Sequence, residues 1–130
     1  MKIYFILLIF MVFIFILIGC STTTITINEN NLKENYSLRQ GDIVEVVLNA
    51  NPSTGYEWQI VNIDTSKVKI VNKTYTANNV NKDKVGSGGI MTYHFEAISK
   101  GNTAINITYF RSFEKELPPK KKFEINLEIK

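Results

Sequence analysis

The chain has 130 residues, 45% of them hydrophobic and 21% charged, which is one domain's worth of sequence. Fifteen Lys and Arg against twelve Asp and Glu give a formal +3, too small an excess for the dense basic face of a nucleic-acid binder. A single Cys excludes an internal disulfide framework and a multi-Cys zinc site, and a single His excludes paired-His metal centres, so neither metal nor cofactor is expected.

Residues 3–18 form an unbroken apolar run, IYFILLIFMVFIFILI, preceded by Lys2 and followed by Gly19-Cys20. This suits an apolar leader helix and is short for a membrane-spanning helix of roughly 20 residues. Leu17-Ile18-Gly19-Cys20 resembles a bacterial-type lipobox, in which a small residue precedes a Cys that is acylated and becomes the first mature residue. The expectation is a lipoprotein-type signal peptide over residues 1–19 and one domain over 20–130. That domain is then held at the outer face of the cell membrane by lipid on Cys20. An ordinary cleaved signal peptide, which gives a secreted protein, and an uncleaved anchor helix are the alternatives. All three export residues 21–130. No Cys but the anchor remains, so the domain depends on its apolar core, which about 110 residues can supply.

The rest of the chain reads as strands. Residues 22–27 are all β-branched, and residues 28–35 are polar and loop-like. Strand patterns follow at 42–48, 57–61, 67–71, 90–98, 103–110 and 123–129. Met91, Tyr93, Phe95 and Ala97 fall on one face; so do Ile105, Ile107 and Tyr109, and Phe123, Ile125, Leu127 and Ile129. Val68 and Ile70 alternate with Lys67 and Lys69 in the same manner. Nothing after residue 20 keeps a helical apolar period for three turns. The pattern predicts an all-β fold, an immunoglobulin-like β-sandwich of seven to eight strands following the leader helix.

Three stretches interrupt the strands: 51–56, 75–89 and 111–122. In the first, Asn51-Pro52-Ser53-Thr54-Gly55-Tyr56, Pro52 fixes its own φ and drives Asn51 towards an extended conformation, while Gly55 tolerates positive φ. The result is a stiff turn tipped by Ser53 and Thr54, narrow enough to enter a cleft; an ordinary sandwich turn uses the same punctuation. The second carries Gly86-Ser87-Gly88-Gly89, whose bare backbone permits close approach by another chain or merely serves as a flexible connector. No Lys-Ser/Thr follows, so it is not a phosphate cradle. The third carries Arg111-Ser112-Phe113. An Arg beside a Phe on a loop suits an interface anchor, and equally a Phe folded back on the sandwich edge. If these loops join strands B–C, D–E and F–G, they can share one end of the sandwich.

NPSTGYEW, GSGG and RSF, in that order and spacing, resemble the chagasin-type inhibitors of papain-like cysteine peptidases, over essentially all of residues 22–130. That family carries an Asn-Pro-Thr-Thr-Gly-aromatic loop, a Gly-x-Gly-Gly loop and an Arg-Pro-Trp/Phe loop on an immunoglobulin-like sandwich. Ser53 departs from the usual Thr by a methyl. Ser112 replaces Pro and loosens the third loop. The resemblance implies a reversible inhibitor, acting as a monomer, that blocks the cleft of a papain-like peptidase. Asn51, Pro52, Ser53, Thr54, Gly55 and Tyr56 then form the wedge, with Thr54 beside the catalytic thiolate and imidazolium. Gly86, Ser87, Gly88 and Gly89 lie along one side of the cleft by backbone contact, and Phe113 packs on the other. Arg111 sets its loop or reaches an acidic group. Tyr56 packs beneath the wedge and Trp58 belongs to the core.

Other classes fit less well. An enzyme needs a nucleophile and a base, and the one His, His94, lies mid-strand between Tyr93 and Phe95, away from the loops. The chain is therefore not expected to be an enzyme. A cell-surface immunoglobulin-like adhesion or envelope-structural lipoprotein is the alternative, and it would bind through a sheet face rather than through loops.

Overall fold

The computed structural model describes residues 21–78, 88–114 and 116–130, together with Tyr4, Gly19 and Gly86. Apart from Tyr4 and Gly19, the leader expected over residues 1–19 lies outside the described residues, as do Cys20 and Ser87.

The described residues form eight strands: β1 (Thr24–Asn28), β2 (Tyr36–Leu38), β3 (Ile43–Ala50), β4 (Tyr56–Asn62), β5 (Val68–Ala77), β6 (Gly89–Ala97), β7 (Gly101–Arg111) and β8 (Lys121–Ile129). They make two four-stranded sheets, ordered β1-β3-β6-β5 and β2-β8-β7-β4. This is the expected immunoglobulin-like sandwich. Alternation places Val44, Val46 and Leu48 of β3, Tyr93, Phe95 and Ala97 of β6, Ile105, Ile107 and Tyr109 of β7, and Phe123, Ile125, Leu127 and Ile129 of β8 in one buried cluster between the sheets. That cluster runs from Ile27 to Ile129, so the sandwich has its core within residues 21–130.

Two hydrogen bonds tie the sheets together through the middle of this core. Trp58 on β4 is 1% exposed. Its indole N–H donates to the Asn49 carbonyl of β3 at 2.8 Å, and its own carbonyl accepts from the Tyr93 hydroxyl of β6 at 2.8 Å. A buried Trp and Tyr are thus fully used: apolar body in the core, polar atom satisfied across the layer.

Three strand expectations need correction. Residues 36–38 form β2, unforeseen because three residues are too few to show a period; Tyr36 and Leu38 nevertheless point inward beside Leu127 and Ile129. Residues 75–77, expected in a loop, extend β5 along β6 as far as Ala77 opposite Gly89. Ile70 lies opposite inward-facing Phe95, as Val68 lies opposite Ala97, but it is not buried as its alternation suggests. The register slips between Ile70 and Asn72, and Ile70 is 43% exposed on this edge strand.

Strand direction decides where the loops lie. β3 ends at Ala50, which pairs with Gly89, which pairs in turn with Ala77. In the other sheet Tyr56 opens β4 opposite Arg111, and Tyr109 lies opposite Lys121. The connections β3–β4, β5–β6 and β7–β8 therefore emerge at a single end of the sandwich.

Candidate functional site

The β3–β4 connection is a single 3-10 turn, Pro52–Thr54, with no buried residue. Pro at its first position suits the turn, since that N–H would have no partner inside it. Gly55 closes the turn in the left-handed region at φ 78°, and its N–H donates to the Pro52 carbonyl at 2.9 Å. The Thr54 N–H and hydroxyl both donate to the Asn51 carbonyl, at 3.1 and 2.6 Å. The Ser53 hydroxyl donates to Asn51 Oδ1 at 2.5 Å. The tip is exposed, yet its polar groups are tied within the turn, so it projects as one unit.

An aromatic pillar stands beneath it. Tyr109 packs against Trp58 with ring centres 4.8 Å apart and stacks on Tyr56 at 5.2 Å. The Tyr109 hydroxyl accepts the Asn51 N–H at 2.9 Å. Tyr56 thus packs at the base of the loop, as expected. Tyr109, read from the sequence only as a core residue, also fixes the point where the loop leaves β3.

The third loop is joined to the first by Arg111. Its Nε donates to the Thr54 carbonyl at 3.0 Å, and its Nη1 donates to Glu114 Oε1 at 2.9 Å. The guanidinium carbon lies 4.5 Å from the centre of the Tyr56 ring and 5.7 Å from that of Phe113. Within the chain, Arg111 thus ties its own loop to the first loop and to Glu114. Phe113 is 70% exposed, and a Cβ placed on Gly55 would lie 2.9 Å from its ring. The ring rests against the glycine instead of folding into the sandwich. Glu114 and Lys120, whose Nζ lies 4.9 Å from the Tyr56 ring centre, complete the cluster and had no signal in the sequence beyond their charge.

The second loop joins the first from the other side. Asn51 Nδ2 donates to the Gly86 carbonyl at 3.3 Å. Gly86 lies at φ 93° and Gly88 at φ 70°, and a side chain on Gly88 would press on the Ala50 carbonyl at 3.2 Å. Gly86 is exposed and Gly88 half-buried, but Gly89 is buried as the first residue of β6. A Cβ there would stand 2.3 Å from the Thr76 carbonyl and 2.7 Å from the Tyr75 hydroxyl. Of the residues singled out in the sequence, Asn51 to Tyr56, Gly86, Gly88, Arg111 and Phe113 thus meet at one end, and Gly89 lies under that surface.

His94 sits mid-strand on the outer side of the first sheet, its Nε2 3.3 Å from Glu45 Oε1. It is remote from the loop cluster, and among the described residues no Ser or carboxylate of the three loops is near enough to partner it.

The sandwich thus presents at one end three loops tied together through Asn51 and Arg111. Comparison with known proteins shows which family carries this arrangement. Residues 37–127 match the family described as chagasin family peptidase inhibitor I42, and the chain belongs to that family. It is 29% identical over 110 residues to amoebiasin-2 of Entamoeba histolytica, covering 82% of this chain and 89% of that one. Its fold matches the crystal structure of a cysteine protease inhibitor from Entamoeba histolytica, EhICP2. The TM-score is 0.77 at 24% identity, over 86% of this chain and 100% of the other. The Leishmania mexicana inhibitor ICP matches with a TM-score of 0.55 at 26% identity, over 75% and 91%.

Proposed function

We propose that this chain is a reversible inhibitor of papain-like cysteine peptidases and that the three loops at one end of the sandwich form its contact surface. The observation that carries this reading is the internal bracing of the exposed turn 52–54. A wedge whose polar groups are already bonded to one another loses little freedom on binding, which favours affinity. In this reading Ser53 and Thr54 enter the cleft, Gly86 to Gly88 lie along one wall by their backbone, and Phe113 packs against the other as the apolar anchor. Ser112 leaves the third loop without the family's Pro, and Arg111 ties that loop to Thr54 while binding Glu114. In this reading the protein acts as a monomer.

Residues 21–130 are expected to inhibit papain at stoichiometric amounts, with activity recovered on dilution. Deleting residues 52–55 should abolish inhibition while leaving the melting temperature nearly unchanged, since the turn contributes no buried side chain. A panel of papain-like peptidases with none inhibited would sink the reading.

We further propose that residues 1–19 are removed and that Cys20 carries the lipid that holds the domain at the outer face of the membrane. The sole Cys in the chain directly after Gly19 supports this. Mass spectrometry of the membrane fraction should find a diacylated or triacylated Cys20 as the first residue. An intact Met1 there points to an uncleaved anchor helix instead.

A further inference from the structure

Resting on the inhibitory reading, we infer that Arg111 is the positioning residue that keeps the wedge from being cut, by withholding the Thr54–Gly55 peptide from hydrolysis. Both polar groups of that peptide are engaged inside the protein. The Thr54 carbonyl accepts from Arg111 Nε at 3.0 Å, and the Gly55 N–H donates to the Pro52 carbonyl at 2.9 Å. A peptidase cleaves an amide that it binds in extended form, with the carbonyl oxygen turned towards donors that stabilise the oxyanion. Here the oxygen is turned towards a guanidinium of the inhibitor itself, and the chain is coiled in a 3-10 turn that ends in a left-handed residue.

The guanidinium is in turn held from several directions. Its fork lets Nε bind the Thr54 carbonyl while Nη1 binds Glu114, so the loop and the carboxylate fix it together. The rings of Tyr56 and Phe113 lie beside it, at 4.5 and 5.7 Å from the guanidinium carbon to their centres. Gly55 is the weak point of the turn: without a side chain it can unwind into the extended form that a cleft accepts. Once the Thr54 carbonyl is released, ordinary hydrolysis follows. The peptidase thiolate adds to the Thr54 carbonyl carbon, and the Thr54–Gly55 C–N bond breaks as the imidazolium gives its proton to the Gly55 nitrogen. Water then frees the Thr54 carboxyl group and restores the thiol.

The test incubates papain with residues 21–130 carrying Arg111→Ala and follows both peptidase activity and fragment masses. The wild-type domain should stay intact and inhibitory. The variant should inhibit at first and then lose inhibition as fragments 21–54 and 55–130 accumulate, at least about ten-fold faster than from wild type, the change expected for one lost charge-assisted hydrogen bond. Glu114→Ala, which frees the guanidinium but keeps every backbone bond of the turn, should be cut at an intermediate rate. It carries the test if Arg111→Ala lowers the melting temperature. Fragments that appear no faster than from wild type, or cuts only outside residues 51–56, overturn the inference while wild-type inhibition still stands. Failure of the wild-type domain to inhibit any of the panel is a different result and removes the reading on which the inference rests.

Discussion

At the scale of single residues, the binding end is organised by positions where a side chain would be an obstruction. Gly55 is the sharpest case. It sits at φ 78°, and a methyl group there would press against the Phe113 ring at 2.9 Å. Gly55→Ala therefore pays twice, about 1–2 kcal/mol for the left-handed backbone and more for displacing Phe113. Inhibition should weaken by at least about ten-fold, and the melting temperature should fall by only several degrees, since the turn holds no part of the core and the sandwich still folds. Equal inhibition constants for the two proteins would show that the turn geometry is unimportant. Pro52 and Gly55 were legible in the sequence, since their backbone preferences are intrinsic. The hydrogen bond from Arg111 to Thr54 was not, because it joins residues 57 apart and depends on how β4 and β7 register. The role of Tyr109 was hidden for the opposite reason: its alternation marks it as core, and it is core, but its hydroxyl reaches past the core to Asn51.

At the scale of elements, legibility followed burial. β6, β7 and β8 each bury most of one face, so their apolar residues recur every second position and the strands are evident in the sequence. β5 buries only Val68, so nothing in its far half demands alternation, and the strand is held by its backbone ladder with β6 instead. Such a strand cannot be told from a loop by periodicity. The corner before β3 illustrates another kind of hidden order. Asp42 is buried at the end of the sandwich opposite the three loops, where its carboxylate accepts the N–H groups of Thr23 and Arg39 at 3.0 and 2.8 Å. It pins the beginning of β1 and the turn after β2 to the same point. In the sequence it is merely the polar first residue of the strand pattern 42–48.

At the scale of the whole molecule, the two sheets are joined where Trp58 and Tyr93 meet, and this join has a pH limit. Burial, with a smaller contribution from the nearby Glu57 carboxylate, raises the Tyr93 phenol from its ordinary 10.0 to about 12. The neutral phenol is the form that donates to the Trp58 carbonyl. Its contribution to stability is fully present below about pH 10 and is lost as the pH rises through about 12, roughly 2–3 kcal/mol in all. Chemical denaturation at pH 9 and 11.5 should show this loss, and Tyr93→Phe should flatten it. An equally steep alkaline decline in Tyr93→Phe would place the cause elsewhere.

The parallel pairing of β1 with β3 has a consequence for geometry. Thr24 lies opposite Ile43, at the foot of β3, whereas the three loops stand at its head beside Ala50. β8 likewise runs from Lys121 at the head to Ile129 at the foot, so β1 begins and β8 ends at one pole. The eight residues of β3 separate that pole from the other by roughly 25 Å. A domain moored by acyl chains just upstream of Thr24 would hold its wedge pointing outward like a buoy on a short tether, clear of the headgroups, so that a soluble peptidase could reach it from the open side.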